Sequence, residues 1–218
     1  YTPEVFRAQS EDNKQASEGE VVDQEGCKTT WNDSIDYAKI FDDIKDELIA
    51  TIMKMHNNDP FAIQGNFPKG KTLKRDITES GGKFFETENK CIVRLREWTT
   101  LQLVNSYKGL KMNFKKISYT NSWFHVTKKG GFHSMHMHPN TPLAGIFYVK
   151  DGNSEIGNSW INPVSGYIDF SSKWCNHSYE SKFVPGRLIL FPGWVLHSAL
   201  PHDGNDLRIV IAFNSTIM

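Results

Sequence analysis

Before residue 110 the apolar residues recur at spacings of three and four; from Lys115 onward they alternate with polar ones. In the first region Phe41, Ile44, Leu48, Ile52 and Met55 form one stripe. That spacing predicts an amphipathic helix, which Asp33 or Ser34 can cap and which Asn57-Asn58-Asp59-Pro60 ends. Residues 60–90, rich in Gly, Lys and Thr, read as loop. A second helix is predicted from Glu97 to about Tyr107, with Trp98, Leu101 and Val104 inward. Both stripes read as packing faces. The alternating region predicts short strands at 117–126, 134–138, 144–150, 159–161, 167–170, 182–184, 187–191, 195–199 and 207–213, most of them separated by Gly or Pro turns. Many short strands with regular turns point to a mainly β fold: a sandwich, jelly roll or barrel, with the two helices covering one outer face. Residues 1–34 are polar and mostly acidic and read as an extended or mobile arm. Residues 35–218 then make a single domain, with helices and loops over 35–115 and the β core over 116–218.

Composition narrows the function without naming it. Twenty-five basic residues balance 25 acidic ones, so no basic field exists for generic nucleic-acid binding. The three cysteines, Cys27, Cys91 and Cys175, share no metal-binding or disulfide spacing, which reads as reduced thiols in a cytoplasmic protein. No apolar run approaches the roughly 20 residues of a membrane span, and no signal peptide is visible. The chain starts at Tyr1, which reads as processing or as a cut from a longer protein. Oligomeric state stays open, a homodimer included.

Candidate chemistry concentrates in Gly130 to Pro139, GGFHSMHMHP. In an extended strand, side chains two apart share a face, so His136 and His138 project side by side. His197, in WVLHSA, offers a third imidazole from another strand. Such a triad with open coordination positions suits a redox-active first-row metal, above all Fe(II). His133 falls on the opposite face if the strand runs unbroken, which leaves it an outer or substrate contact. His56, His125, His177 and His202 read as ordinary surface or core residues. Arg208 sits in the apolar strand LRIVIAFN, sharing a face with Val210 and Ala212. A guanidinium there needs an anionic partner: either an Asp or Glu, or a bound dicarboxylate that its fork matches. Tyr148 in IFYV could donate a second hydrogen bond to that dicarboxylate. Asn121, Trp123 and Trp194 are candidate cavity linings, or plain packing.

Taken in order, Ser122-Trp123, the HMHP run, AGIFYVK, LFPGWVLHS and RIVIAFN make residues 117–218 resemble the Fe(II)/2-oxoglutarate-dependent oxygenases. They are most similar to uncharacterised prolyl-hydroxylase-like members from bacteria and bacteriophages. The resemblance implies a double-stranded β-helix (jelly roll, cupin-like) with Fe(II) held by His136, His138 and His197. It also implies 2-oxoglutarate held by Arg208 and Tyr148, and O2 as co-substrate. Oxidative decarboxylation to succinate and CO2 would accompany oxidation, usually hydroxylation, of a peptide side chain or small metabolite. If phage-encoded, the protein would act in the host cytoplasm. One departure stands out: His138 occupies the place of the family's usual carboxylate. Residues 1–115 carry no such signature.

Two rivals remain at this level. A metal-dependent cupin, a dioxygenase or isomerase without 2-oxoglutarate, matches the glycine-to-HxH and Gly186–Pro192–His197 spacings. It would want a Glu where Leu143 stands and an Asn where Pro201 stands. A non-catalytic jelly-roll binding or structural module would use the six tryptophans as platforms. Arg208 favours the oxygenase over the cupin, and metal uptake separates either from the module.

Overall fold

A strand buried on both faces shows an unbroken apolar run rather than alternation, and LAGIFYVK, LILFP and RIVIAF have that form. In the computed structural model, described for residues 20–22, 28–30, 37–58, 63–64, 74–161 and 178–218, these runs are the centre of one curled antiparallel sheet. The elements in chain order are β1 (Glu20–Val22), β2 (Lys28–Thr30), α1 (Tyr37–Asn58), β3 (Ile63–Gln64), β4 (Lys74–Glu79), α2 (Lys90–Gly109), β5 (Ile117–His136), β6 (Leu143–Lys150), β7 (Ile156–Ile161), β8 (Ser178–Lys182), β9 (Leu188–Pro192), β10 (His197–Ala199) and β11 (Arg208–Ile217). The sheet runs β8-β7-β10-β5-β11-β6-β9, with β4 pairing β5 and β3 pairing β4. It is the jelly-roll arrangement that the alternating pattern predicts.

Alternation along the strands sorts side chains into two clusters. Phe147 and Val149 of β6, Leu188 and Leu190 of β9, and Ile209, Ile211 and Phe213 of β11 face the helices, packing with Ile44, Leu48, Ile52, Ile92, Leu95 and Leu103. Ala144, Ile146 and Tyr148, Ile189 and Phe191, and Ala212 face the inside of the roll with Trp160, Phe183 and Val195. The helices thus cover one outer face, as expected. Gly145 stands opposite Phe213 in the ladder, and a Cβ there would lie 2.2 Å from the ring, so only glycine leaves room.

Several boundaries differ from the sequence pattern. The 60–90 stretch is not all loop: β4 pairs with β5, and a 3-10 turn at Phe84–Glu86 buries Phe84 and Phe85. The second helix begins at Lys90, seven residues before Glu97, because the Asn89 side chain caps it by accepting from the Cys91 N–H at 2.9 Å. Its buried face includes Ile92, Leu95, Thr99, Leu103 and Tyr107; of the three residues predicted inward, Val104 is fully buried and Trp98 and Leu101 partly. The predicted strands 117–126 and 134–138 are one strand, β5, which stops at His136. Within the first 34 residues β1 pairs with β2, Glu20 opposite Thr30. The remainder of that arm, the 167–170 strand, Cys27 and Cys175 lie outside the described residues. Among those described, no helix is long and apolar enough to cross a membrane.

Candidate metal centre and its cavity

One ladder and one backbone hydrogen bond bring the histidines together. His136, the last residue of β5, stands directly opposite His197, the first of β10. His138 lies two residues beyond the end of β5, and its amide donates to the Gly193 carbonyl at 2.7 Å, which ties it to the turn before β10. Gly193 is required there: a Cβ would meet the Thr141 and His138 carbonyls at 2.3 and 2.5 Å. The result is one cluster whose ligand nitrogens all lie within 4.8 Å of one another. The His138 and His197 Nε2 atoms are 3.3 Å apart.

Backbone carbonyls set the tautomers. His136 Nδ1 lies 2.8 Å from the Ser134 carbonyl, and His197 Nδ1 lies 3.0 Å from that of Val195. A carbonyl only accepts, so each Nδ1 carries the proton and each Nε2 keeps a lone pair for an ion. Burial, then the neighbouring His136, pushes the His197 pKa down to about 3, which keeps that ring neutral and ligand-competent at ordinary pH. The rings are also wedged in a column. Trp123 stacks on His138 at 5.9 Å and 16°, His138 on His197 at 5.1 Å and 13°, and His197 on Trp160 at 5.2 Å and 21°. Imidazole nitrogens in this arrangement fit a first-row divalent ion such as Fe(II).

The triad opens on a cavity of about 470 Å³. Its wall is written in the β5–β11 register, where Arg208 faces Thr127, Val210 faces His125, Ala212 faces Trp123 and Asn214 faces Asn121. All eight line the cavity. Arg208 is 3% exposed. Its guanidinium donates to the Ile156 and Leu200 carbonyls at 3.3 and 3.2 Å, and among the described residues no carboxylate reaches salt-bridge distance of it. Burial pulls its pKa down to about 10, while Tyr148 and Asp203 nearby raise it.

The other expected residues divide. Asn121, Trp123 and His133 line the cavity. His133 does so because the β5–β10 register shifts between His136 and His133, which turns its ring to within 3.9 Å of His136 rather than to the opposite face. Trp194 does not line it: the tight Gly193 turn swings that side chain outward, where it is 56% exposed. Tyr148 stands one layer back. Its buried hydroxyl donates to Asn158 Oδ1 at 2.9 Å and meets Ser181 Oγ at 2.8 Å, and burial pushes its pKa up to about 12. Asn158 lines the cavity in its stead. The sequence reading missed Glu79 and His125, which oppose each other in the β4–β5 register and bond at 2.5 Å. His125 continues the i, i+2 row of Asn121 and Trp123, a signal that was available. Glu79 had none, since β4 does not show in the pattern.

A histidine triad and a buried guanidinium thus line one cavity of an antiparallel jelly roll. Residues 121–214 match the family described as "Putative 2OG-Fe(II) oxygenase". No curated protein sequence matches the chain. Among solved structures, the chain is similar to a prolyl hydroxylase from Trichoplax adhaerens in complex with a hypoxia inducible factor peptide fragment, at TM-score 0.58 and 13% identity over 80% of this chain and 79% of that one. It is also similar to the viral collagen prolyl hydroxylase of Paramecium Bursaria Chlorella virus-1, at 0.52 and 16% over 84% and 92%. A third is the alpha ketoglutarate dependent epimerase SnoN from nogalamycin biosynthesis, at 0.55 and 9% over 84% and 74%. Residues 121–214, which carry the triad and Arg208, are thus similar to the 2OG-Fe(II) oxygenases, a family of oxidoreductases that use Fe(II), 2-oxoglutarate and O2.

Proposed function

We propose that this chain couples oxidative decarboxylation of 2-oxoglutarate to oxidation of a second substrate, by hydroxylation. The observation that carries the proposal is the pairing of the convergent triad with Arg208, a buried cation in the same cavity without a carboxylate partner among the described residues. His136, His138 and His197 hold the iron, with the Nε2 lone pairs of His136 and His197 fixed by the carbonyls behind those two rings. Bound there, the iron supplies dioxygen activation. Arg208 takes the distal carboxylate of 2-oxoglutarate, for which its fork has donors to spare beyond the two given to carbonyls. Tyr148 supports that end by holding Asn158 at the cavity wall. His133, Trp123 and Asn121 stand toward the substrate side. The prolyl hydroxylases among the similar structures favour a peptide side chain as substrate, with a small metabolite as the alternative.

The test begins with protein purified without a nickel column, reconstituted anaerobically with Fe(II) and supplied with 2-oxoglutarate and air. Succinate should form with wild type and not with His136→Ala. Metal uptake without 2-oxoglutarate binding would establish the cupin reading instead, and uptake of neither would establish the non-catalytic module.

A further inference from the structure

We propose that Met137 is a modification site: when 2-oxoglutarate is turned over with no second substrate present, the Met137 thioether takes the remaining oxygen atom and becomes the sulfoxide. The inference rests on the function proposed above and concerns one of this chain's own side chains. Met137 stands between His136 and His138 and is 49% exposed. β5 ends at His136, which releases Met137 from strand alternation, and Met137 lines the same cavity as the triad and Arg208. Met135 is 43% exposed but still lies within β5, where it alternates with His136, and it does not line the cavity. Among the described residues that line it, Met137 alone carries sulfur. The Cys91 thiol is buried in the layer beneath the helices.

Electron balance then selects the thioether. Loss of CO2 from 2-oxoglutarate gives up two electrons, and one oxygen atom of O2 ends in succinate. The other oxygen atom needs two electrons more. A second substrate supplies them when it is hydroxylated; without one, a group on the cavity wall is the nearest donor. Ile146, Phe183 and Val210 offer carbon–hydrogen or ring bonds, whereas Met137 offers a sulfur lone pair. The sulfur–oxygen bond forms from that lone pair, with no bond broken at sulfur and no proton moved. The sum is 2-oxoglutarate, O2 and thioether giving succinate, CO2 and sulfoxide, with every atom and electron accounted for. A group held at the cavity also reacts within one molecule, an advantage that freely diffusing reductants lack. The product exchanges a flexible apolar side chain for a polar, chiral one, and methionine sulfoxide reductases reverse it. Met137 thus becomes a reversible record of idle turnover.

The experiment uses the full chain, reconstituted anaerobically with Fe(II), given 2-oxoglutarate without ascorbate or a second substrate, and then opened to air. Succinate is measured, and fragmentation mass spectrometry of the digested protein locates added oxygen. Met137 should gain one oxygen atom, at least about tenfold in excess of Met135, only when 2-oxoglutarate is present, and methionine sulfoxide reductases should remove it. Metal-free protein treated with dilute peroxide supplies the reference, since the two methionines are similarly exposed and should oxidise alike there. Met137→Leu should still form succinate and gain no oxygen in that segment. Equal oxidation of Met135 and Met137 during turnover, or oxidation that does not need 2-oxoglutarate, would mean a diffusing oxidant and overturn the inference. Succinate formed with Met137 intact, or with oxygen added to other residues instead, would overturn it too and leave the proposed function standing. Failure to form any succinate would sink the proposed function, and the inference with it.

Discussion

Replacing Arg208 with Met should leave the metal-free protein nearly as stable as wild type while abolishing its response to 2-oxoglutarate. Burial brings the Arg208 pKa from 12.5 to about 10. At about 1.36 kcal/mol per unit, the buried charge costs about 3 kcal/mol. Against that stand hydrogen bonds to the Ile156 and Leu200 carbonyls, both long at 3.3 and 3.2 Å and worth about 1 kcal/mol each. Met fills similar space without the charge. The opposing effects nearly cancel, so urea denaturation should place Arg208→Met within about 1 kcal/mol of wild type. A guanidinium held by a structural carboxylate would behave differently, since breaking such a buried pair costs about 3–5 kcal/mol. Repeating the denaturation with Mn(II) and 2-oxoglutarate separates the two roles. Ligand at about one hundred times its Kd should add about 2.7 kcal/mol to wild type and nothing beyond the metal's own effect to the variant. A loss above about 3 kcal/mol in the metal-free variant, or an undiminished 2-oxoglutarate response, would refute the proposal that Arg208 receives the carboxylate of 2-oxoglutarate.

Other substitutions probe the frame around the site. Gly145→Ala forces a methyl to within 2.2 Å of Phe213 and should cost about 1–3 kcal/mol or more, visible as a lower melting temperature that adding Phe213→Leu partly restores. Ser122→Ala removes the hydroxyl that accepts from the buried Phe85 N–H at 2.8 Å; it should cost about 1–3 kcal/mol and leave Fe(II) uptake unchanged. The His197 pKa is near 3 folded against 6.5 unfolded. Its neutral form therefore contributes stability that is fully present above 6.5 and falls by about 1.4 kcal/mol per pH unit as the metal-free protein is acidified toward 3. His197→Gln should flatten that part of the pH–stability curve, and an unchanged slope would count against the burial that holds the ring neutral.

What the sequence made legible follows its chemistry. HMHP, WVLHSA and LRIVIAFN each carry an identity or spacing that survives without knowledge of neighbours, and the structure brings their His136, His138, His197 and Arg208 to one cavity. The parts that depend on neighbours were hidden. β4 reads KRDITE, with the buried Ile77 its apolar residue, so no alternation marks the strand that pairs along β5. The start of α2 was obscured by charged residues interleaved with Ile92 and Leu95, and by a cap from Asn89 that looks like any loop polar residue. His133 required knowing about a register shift. Tyr148 and Trp194 were legible as aromatics beside the site but not in their depth, which Gly157 and Gly193 and their close contacts determine.

One strand, β11, contributes to both sides of the sheet at alternate positions: Arg208, Val210 and Ala212 to the cavity, Ile209, Ile211 and Phe213 to the layer beneath the helices. Sliding it by a single position would exchange the two sets, driving a guanidinium among leucines and closing the cavity with isoleucine and phenylalanine. Any misaligned folding product would therefore be penalised twice, once for each face. Sorting by hydrophobicity thus sets the cavity wall as well: a chain that has buried Ile209, Ile211 and Phe213 has, by the same act, turned Arg208 into the cavity.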